Sequence, residues 1–298
     1  MSDSVALVTG ASSGFGRLTA ETLARRGHRV FATMRDVEGR NAAAAAELAQ
    51  RARAEALGLT VLELDVTDDA SASAAVEHAL EAAGCIDTLV NNAGGGCHGL
   101  LETFSVAQAR ELFETNVFSV LRMNRAVLPH MRSRGSGLLV HVSSGLGRLV
   151  LPFNGLYTAT KFAVEAIGEI YRYELASVGV DSVIVEPGVY ATRFFENAAA
   201  NPPADAARGR DYGELYELGR TLAARRPPPG DPQEVADAIA TLVELPAGTR
   251  PLRTAVGAAA ARAQPLNDAA AELQRTVLTG MGMIDVVTLA QPRDAREG

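Results

Sequence analysis

Residues 5–16 read VALVTGASSGFG: four apolar residues lead into a turn that contains Gly10, Gly14 and Gly16, and a helix-forming stretch follows. Glycines allow a tight turn between a strand and a helix, and they let backbone N–H groups approach a ligand closely. The amino end of the following helix adds favourable charge for an anion. The stretch therefore predicts a dinucleotide-binding turn at the start of a parallel sheet. A glycine-rich turn without a ligand is the alternative interpretation.

The chain up to about residue 190 repeats this order of strand and helix. Short runs rich in Val, Ile and Leu alternate with longer stretches of Ala, Leu, Glu and Arg, which is typical of βαβ units. Nearly continuous apolar strands are expected where both faces of a parallel sheet are covered. We therefore expect an α/β fold, a doubly wound Rossmann parallel sheet with helices on both faces. The predicted strands are 5–9, 29–33, 60–64, 86–90, 137–142, 181–186 and 251–257, and the predicted helices are 15–26, 40–57, 69–83, 105–132, 155–178 and 231–244.

The pattern changes after Pro187. Residues 193–230 carry a Pro-Pro pair, the polar stretch RGRDYGE and a Pro-Pro-Pro-Gly run at 227–230. A loop-rich insertion of this length in a compact domain is more often a binding segment than a plain connection. We expect a single domain over residues 1–298, with about 193–230 as a substrate lid and about 258–298 as a C-terminal helix and tail.

Charge and composition argue against several classes of protein. The net charge of −7 disfavours nucleic acid or an anionic membrane as the main partner. Cys85 and Cys97 form no CxxC motif, and the five His residues show no spacing that indicates a metal site. The sequence has no apolar run long enough to cross a membrane, and we expect no signal peptide because the first predicted strand begins at Val5. We expect a cytoplasmic protein without a metal site or membrane insertion.

Several short motifs occur in one order along the first 192 residues. Residues 9–16 read TGxxxGxG, and the further motifs are Asp65-Val66, Asn91-Asn92-Ala93-Gly94, Asn116, Ser144, Tyr157 with Lys161, and Pro187-Gly188. In this order and spacing they resemble the single-domain type of the short-chain dehydrogenase/reductase family. The resemblance implies an enzyme that transfers hydride between a nicotinamide and a carbon atom. A non-catalytic dinucleotide-binding sensor on the same fold is the alternative, which the complete set of catalytic positions disfavours.

Tyr157 and Lys161 carry the acid–base prediction. One Lys and 27 Arg make up the 28 basic residues, so Lys161 is the single lysine of the chain. The spacing i, i+4 on the predicted helix 155–178 places both side chains on one face. A cation near a phenol stabilises the phenolate, so we expect Lys161 to lower the pKa of Tyr157. A surface Tyr that packs on a lysine stem is the alternative.

The resemblance assigns roles to two further polar residues. Ser144 lies thirteen residues before Tyr157, just after a predicted strand, and would polarise a substrate carbonyl; Ser143 competes for this role. Asn116 would hold a water molecule in a proton relay from Lys161, with an exposed helical Asn or a local kink as the alternative. The predicted catalytic set is therefore Asn116, Ser144, Tyr157 and Lys161.

The end of the second predicted strand bears on which dinucleotide binds. An acid there favours NAD through the ribose 2′-hydroxyl, and an Arg favours the 2′-phosphate of NADP. Met34 occupies the position of the acid and Arg35 follows it, whereas Asp36 and Ser13 favour NAD. We expect NADP(H), with NAD(H) as the alternative. By resemblance, the other cofactor-binding residues are Gly10, Ser12, Ser13, Gly14, Phe15, Gly16, Asp65, Val66, Asn92, Ala93, Gly94, Tyr157, Lys161, Pro187, Gly188 and Thr192.

Apolar residues flank the predicted catalytic pair and indicate an apolar substrate. Leu151 and Phe153 precede the pair, and Tyr190 and Phe194 follow the Pro-Gly turn. The stretches PFNGLY and TMRD resemble members that act on hydroxysteroids, retinoids or similar lipophilic alcohols and ketones. We therefore expect a secondary alcohol and its ketone, or an alcohol and its aldehyde, as the substrate pair. Family members are often dimers or tetramers, so we also expect a homodimer or homotetramer.

Overall fold

The computed structural model describes residues 4–224, 230–287 and 289. Their centre is one sheet of parallel strands in the order β3-β2-β1-β4-β5-β6-β7. This doubly wound Rossmann sheet confirms the predicted fold class, and each strand overlaps a predicted one. The strands are β1 (Val5–Val8), β2 (Arg29–Met34), β3 (Leu59–Glu63), β4 (Thr88–Asn91), β5 (Gly137–Val142), β6 (Val180–Pro187) and β7 (Arg253–Val256).

The strand order reverses next to β1. The chain adds β2 and β3 on one side of β1 and then returns to add β4 on the other side. Two connections therefore leave the carboxyl ends of neighbouring strands in opposite directions, and ligands of open α/β sheets bind at such a point. The loops that follow β1 and β4 lie there and contain residues 9–16 and 92–94.

Helices cover both faces of the sheet. Alternate residues of a strand point to opposite faces, so Val8 and Leu7 belong to two different cores. Helices α1, α2 and α10 contribute to the core around Val8, and α3 and α5 contribute to the core around Leu7. The helices are α1 (Gly14–Arg25), α2 (Ala42–Ala54), α3 (Asp69–Ala83), α4 (Val106–Phe113), α5 (Ser119–Arg134), α6 (Gly155–Glu174), α7 (Phe194–Ala199), α8 (Ala206–Gly209), α9 (Glu214–Ala224), α10 (Gln233–Glu244), α11 (Ala258–Ala261) and α12 (Gln264–Gly280).

Two predicted helices have different boundaries in the structure. The predicted helix 105–132 is two α-helices, α4 and α5, which the π-helical turn Glu114–Phe118 joins. The predicted helix 155–178 ends at Glu174, and a 3₁₀ turn follows it. A π turn inserts an extra residue into a helix while the chain stays helical, so the apolar pattern of the sequence does not reveal it. Because of this turn, Asn116 lies in a widened helical segment beside the sheet.

The segment between β6 and α10 is more regular than the sequence predicts. It contains the short helices α7, α8 and α9, where the prediction was a loop-rich lid. The Pro-Pro-Pro run at 227–229 lies outside the described residues, as do residue 288 and the end of the predicted tail from 290 to 298. In the part of the chain that the structure describes, none of the helices combines the length and the apolar character needed to span a membrane.

Candidate active site

Close backbone contacts shape the turn after β1. Gly10 has a φ of 69°, and a Cβ on it would lie 2.8 Å from the Cα of Ala93. A Cβ on Gly16 would lie 2.4 Å from both the carbonyl oxygen of Gly10 and the side-chain nitrogen of Asn92. A side chain at either position would push the turn and the loop after β4 apart. The two glycines therefore allow these two segments to pack directly on each other.

Thr9 ties the same turn to the loop after β4. Its hydroxyl donates to the Val90 carbonyl at 3.2 Å and accepts the N–H groups of Asn92 and Ala93, both at 3.0 Å. The Asn92 side chain in turn donates to the Thr9 carbonyl at 2.8 Å. These bonds between the protein's own groups tie the turn after β1 to the loop after β4.

An open cleft lies over these loops, at the carboxyl ends of the strands. Ser13, the N-cap residue of α1, makes no capping bond through its side chain within the described part of the chain. The first N–H groups of a helix have no partner inside the helix, so those of α1 can bind an anion. These features fit the diphosphate of a dinucleotide. The predicted cofactor residues that line the cleft are Gly10, Ser12, Ser13, Gly14, Phe15, Arg35, Asp65, Val66, Asn92, Ala93, Gly94 and Thr192.

Two guanidinium groups line the end of the cleft next to β2. Arg35 follows the strand directly, and Arg40 and Asn41 reach the same place. The Asn41 amide donates to the Arg35 carbonyl at 2.6 Å and so holds this turn together. Asp36 has a φ of 54°. Its carboxylate accepts a hydrogen bond from the backbone N–H of Arg40 at 2.9 Å and lies against Gly39. Asp36, which favours NAD in the sequence analysis, thus stabilises the turn that contains it.

Asp65, at the end of the next strand, lines the cleft and also orders its own loop. Its carboxylate accepts the N–H and the hydroxyl of Thr67 at 2.9 and 2.7 Å. Burial opposes ionisation of this carboxyl, yet the bonds from Thr67 and the charges of Arg35 and Arg122 hold its pKa below the usual value. Asp65 is therefore an anion that also stabilises Arg35 in the cleft.

Tyr157, Ser144 and Lys161 lie together beside the cleft. Tyr157 and Lys161 are one turn apart on α6, and the Lys161 Nζ lies 5.8 Å from the centre of the Tyr157 ring. The Ser144 Oγ accepts the Leu146 N–H at 3.1 Å, and the same side chain lies close enough to Tyr157 to favour its ionised form. Lys161 donates to the Val142 carbonyl at the end of β5 at 2.9 Å. The structure thus brings together three of the four predicted catalytic residues.

Ser143, the competing candidate, faces a different part of the protein. Its hydroxyl is buried without a hydrogen-bond partner among the described residues. It lies against Gly147 on the side where Glu165 packs, because a Cβ on Gly147 would meet both side chains. The geometry therefore favours Ser144 as the partner of Tyr157.

The pKa values of the pair differ from the prediction. Burial raises the pKa of Tyr157 to about 12, and the hydrogen bond from Ser144 offsets this only in part. Burial lowers the pKa of Lys161 to about 8, and the charge of Glu165 acts in the opposite direction. The prediction that Lys161 lowers the pKa of Tyr157 below its ordinary value is wrong here, because burial disfavours the charged form of both groups. At pH 7 Tyr157 is therefore a neutral phenol.

Asn116 connects the loop after β4 with the helix that carries the pair. Its Oδ1 accepts the Gly95 N–H at 2.8 Å, and its Nδ2 donates to the Gly95 carbonyl at 2.9 Å and the Thr160 hydroxyl at 3.0 Å. The Thr160 hydroxyl donates to the Tyr157 carbonyl at 2.7 Å. Asn116 thus helps to position Tyr157. Its role in holding a water molecule stays a prediction.

The turn after β6 has both structural and cleft-lining residues. Pro187 is the last residue of β6, and the Gly188 N–H donates to the Val256 carbonyl at 2.9 Å, which continues the pairing with β7. Thr192 lies farther along and lines the cleft. A Cβ on Gly14 would lie 3.4 Å from the Thr192 Cβ. Of these three predicted cofactor residues, Thr192 is the one that the structure places in the cleft.

Phe194 lies between the cleft and the catalytic pair. It begins α7 and lines the cleft, and its ring centre is 5.3 Å from that of Tyr157 in an edge-to-face contact. The ring packs so closely on Gly96 that a Cβ there would lie 2.2 Å from it. The predicted substrate residue Phe194 thus packs against the ring of Tyr157.

Phe153 forms a second apolar contact, beneath α9. A Cβ on Gly219 would lie 2.6 Å from the Phe153 ring, and the His98 ring centre is 5.8 Å from that of Phe153. The His98 Nε2 lies 3.4 Å from the Gly219 carbonyl. Leu151, two residues before Phe153, is half exposed. The 194–224 segment therefore packs over the region just before the catalytic helix.

Tyr190 is buried in the core of this structure, and its role as a substrate residue stays a prediction. Its ring centre is 5.5 Å from that of Phe15, and its hydroxyl donates to Glu234 of α10 at 2.9 Å. The ring also fills the space beside Gly257. Tyr190 therefore links the turn after β6 to α10.

Several cleft residues were not predicted. Arg40 and Asn41 come back to the cleft because the turn at Asp36 reverses the chain, and a second Arg five residues after Arg35 is the signal that could have indicated them. Thr115 reaches the cleft from the π turn, which leaves no signal in the sequence. The unpredicted lining residues are Met34, Arg40, Asn41, Leu64, Thr67, Thr115, Arg193 and Asn197.

Fold and site together define a Rossmann-type oxidoreductase. Residues 4–203 match the short chain dehydrogenase family, and the chain therefore belongs to it. The predicted family is confirmed. The protein is accordingly an enzyme of the class that acts on CH–OH groups with NAD or NADP.

Two curated relatives have named activities. The 3-ketodihydrosphingosine reductase of Bacteroides thetaiotaomicron is 32% identical over 259 residues, which cover 86% of this chain and 89% of that protein. The human 17-beta-hydroxysteroid dehydrogenase type 1 is 35% identical over 258 residues, which cover 84% of this chain and 76% of that protein. Both relatives thus match most of the present chain.

Two solved structures share the fold over most of their length. A short-chain dehydrogenase from Streptomyces avermitilis superposes with a TM-score of 0.75 at 36% identity, covering 94% of this chain and 99% of that one. A variant of actinorhodin polyketide ketoreductase with NADPH has a TM-score of 0.71 at 28% identity, covering 87% of this chain and 97% of that one.

Proposed function

We propose that the protein interconverts a secondary alcohol and a ketone, or an alcohol and an aldehyde, on an apolar substrate, and that it uses NADP(H). The observation that supports this most is the buried Tyr157 with Ser144 next to it, beside a cleft whose end at β2 is lined by Arg35 and Arg40. When bound, the nicotinamide supplies or accepts the hydride. The protein's own residues bind the substrate oxygen and move its proton.

The hydroxyl groups of Ser144 and Tyr157 form the binding site for the substrate oxygen. A carbonyl oxygen between them can accept a hydrogen bond from each. During reduction the neutral phenol of Tyr157 gives its proton to the oxygen as negative charge develops there. The ammonium of Lys161 then stabilises the phenolate that remains. During oxidation Tyr157 must accept the proton, so its raised pKa predicts faster oxidation at higher pH.

Arg35 and Arg40 support NADP(H) as the preferred cofactor. Both guanidinium groups line the cleft at the end of β2, where a 2′-phosphate is bound in this kind of fold. The carboxylate of Asp36 accepts the Arg40 backbone N–H, and Asp36 is not among the described residues that line the cleft. The actinorhodin ketoreductase structure contains NADPH.

Phe194 and Phe153 support an apolar substrate. Phe194 packs on the ring of Tyr157, and Phe153 lies under α9 in the proposed lid. By name, the relatives reduce a sphingoid ketone and dehydrogenate a hydroxysteroid. A long or polycyclic apolar ketone therefore suits this side of the site better than a small polar one.

Ketone reduction at 340 nm tests the proposal. The purified protein is assayed at pH 7 with NADPH and NADH in parallel, on a steroid ketone, a long-chain ketone and a small hydrophilic ketone. We expect turnover of the apolar ketones, with NADPH preferred by about tenfold or more because one charge-assisted contact to phosphate is at stake. A preference for NADH would overturn the proposed use of NADP(H). Cofactor binding without turnover of any ketone on the panel would overturn the proposed reaction.

A pair of Arg variants isolates the 2′-phosphate contact. Arg35→Ser removes a cation that lines the cleft, and Arg53→Ser removes an exposed one on α2. We expect Arg35→Ser to weaken NADPH binding about tenfold and to leave NADH binding unchanged. Equal effects of the two variants would show that Arg35 acts only through general charge.

We also propose that the protein is a homo-oligomer. Phe118 and Phe162 are exposed on neighbouring helical segments, together with Ile170 of α6. Exposed large apolar side chains that cluster on one side of a protein often mark an interface. Light scattering should give two or four times the chain mass of 31.2 kDa, and a mass of 31.2 kDa would overturn this proposal.

A further inference from the structure

A cluster of buried charged side chains lies behind the catalytic pair. Glu165 and Glu169 follow Lys161 on α6 by one and two turns. Arg253 of β7 donates from Nε to Glu165 at 2.8 Å and from a terminal nitrogen to Glu169 at 2.5 Å. Glu186 of β6 lies 3.6 Å from the same Nε. Three carboxyl groups therefore share one guanidinium in a region that solvent scarcely reaches.

The guanidinium does not satisfy all of these carboxyl oxygens. The Glu165 Oε1 is buried and has no hydrogen-bond partner within the described residues. Asn267 of α12 donates to both oxygens of Glu186, at 3.1 and 2.8 Å. Burial and the charge of Glu165 raise the pKa of Glu186 to about 7, so this carboxyl is only partly ionised near neutral pH. Glu165 keeps the salt bridge to Arg253 and leaves one oxygen uncompensated.

Lys161 is a cation in surroundings that disfavour charge. It is only 6% exposed, and its ammonium donates to the neutral Val142 carbonyl. Burial of an amine favours the uncharged form. Glu165 is on the same face of α6 at i+4, where side chains lie next to each other. Its carboxylate is therefore placed to favour the charged form of the lysine.

We infer that Glu165 is a positioning residue for the acid–base pair: held by Arg253, its carboxylate keeps the Lys161 ammonium charged behind Tyr157. The inference rests on the proposed function for what the charge does in catalysis. The charge itself is a property of the protein without cofactor or substrate, so it can be measured separately.

Glu169 provides a matched comparison. It is on the same helix, it is bound to the same Arg253, and it is two turns from Lys161. Its carboxylate also accepts hydrogen bonds from Tyr173 at 2.8 Å and Gln274 at 2.7 Å. We therefore expect Glu169 to stabilise the fold without affecting the lysine.

Charged and titratable groups from several elements face Lys161 and Glu165. Burial raises the pKa of Cys97, in the loop after β4, to about 11, so its thiol is neutral at pH 7. Arg148 donates to Asn267 at 2.7 Å and lies on the far side of Glu186. Among the described residues, Glu165 is the acid one turn from the lysine. Within the described residues, the groups of this region are Tyr157, Glu165 and Glu169 of α6, Cys97 after β4, Arg148 after β5, Glu186 of β6 and Arg253 of β7.

The single lysine of the chain makes a direct measurement possible. Protein labelled with [ε-13C]lysine, made without a lysine in any tag, gives one NMR resonance that belongs to Lys161. Its pH titration reports the protonation of the ammonium, and Lys161→Arg must abolish the signal. We expect a midpoint near pH 8 in the parent protein. We expect Glu165→Gln to lower the midpoint by about one unit and Glu169→Gln to leave it at the parent value.

Two further measurements separate charge from packing. Thermal unfolding should show similar losses for Glu165→Gln and Glu169→Gln, because each removes one carboxylate from Arg253. Glu165→Asp keeps the negative charge on a side chain that is one methylene shorter. The midpoint of the Lys161 titration in this variant should therefore lie between those of the parent and Glu165→Gln. If Glu165→Gln does not fold, the Lys161 titration midpoint of Glu165→Asp, compared with that of the parent, tests the inference.

An unchanged midpoint in Glu165→Gln, or an equal shift in Glu169→Gln, would overturn the inference. So would a midpoint in Glu165→Asp that equals or exceeds that of the parent. The pH profile of kcat/KM connects the charge to catalysis: the alkaline loss of ketone reduction should begin at lower pH in Glu165→Gln. A normal titration in a protein that reduces no ketone would refute the proposed function and leave the charge relation intact.

Discussion

The two sides of the active site are built in different ways. On the nucleotide side, Gly10 and Ala93 are so close that backbone atoms define the shape, and Thr9 bonds both loops together. On the proposed substrate side, the side chains of Phe153 and Phe194 form the shape, and they come from a loop and the short helix α7. Where backbone atoms are in close contact, as at Gly10, few residue types can replace the native one. A site defined by side chains changes gradually with each substitution.

Tyr157 lies where the two sides meet, and its loss should have the largest effect. Tyr157→Phe removes the hydroxyl and keeps the ring against Phe194. We expect ketone reduction to fall about 1,000-fold, since a positioned general acid typically contributes 10²- to 10⁴-fold. NADPH binding, measured by fluorescence titration, should stay close to that of the parent. Activity above a tenth of the parent's would contradict the assignment of Tyr157 as the acid.

Lys161→Arg should have the next largest effect. The ammonium is buried on a hydrogen bond to Val142, and a planar guanidinium of greater length does not fit the same place. We expect a loss of about 100-fold in kcat/KM, the size that a misplacement of about 1 Å can produce. Arg132→Lys, the reverse exchange at an exposed position of α5, is the control and should have no effect. A fully active Lys161→Arg would show that any cation suffices.

Gly10→Ala tests whether backbone contacts define the nucleotide side. Gly10 has a φ of 69° and lies against Ala93, whereas Gly84 has a φ of 76° and nothing within 4 Å of an added Cβ. Left-handed φ alone costs about 1–3 kcal/mol in each case. We therefore expect both Ala variants to lower the free energy of unfolding, and Gly10→Ala also to weaken NADPH binding about tenfold or more. The idea that the Gly10–Ala93 contact shapes the nucleotide side would be refuted if Gly10→Ala and Gly84→Ala lowered the free energy of unfolding equally and Gly10→Ala bound NADPH like the parent.

The features that could be predicted from the sequence depend on local chain geometry. Gly10 and Gly16 follow a strand and precede a helix, so their role follows from a few neighbouring residues. The pairing of Tyr157 with Lys161 follows from the period of one helix. Where the geometry is local, the strands, the glycine turn and the family could be predicted, and the structure and the comparisons confirm them.

The features that could not be predicted depend on contacts between distant parts of the chain. The pKa of Tyr157 has the opposite direction from the prediction because burial, which comes from the whole fold, outweighs a neighbour on the helix. Arg253 and Glu165 form a hydrogen bond although they are 88 residues apart in the sequence, and no sequence pattern predicts this contact. Tyr190 is apolar and close to the Pro-Gly turn, yet only the position of α10 decides that it packs inward.

Phe194→Ala tests the substrate side and should have the smallest effect of the four variants. It removes a ring that contacts Tyr157 and Gly96 but leaves the backbone of the cleft unchanged. Because apolar contacts discriminate by about 1–3 kcal/mol, we expect kcat/KM for an apolar ketone to fall about tenfold and the preference between apolar ketones to change. Leu273→Ala, on the exposed side of α12, should change neither. If Phe194→Ala weakened NADPH binding as strongly as Gly10→Ala, side chains would shape the nucleotide side as well, and the contrast between the two sides would fail.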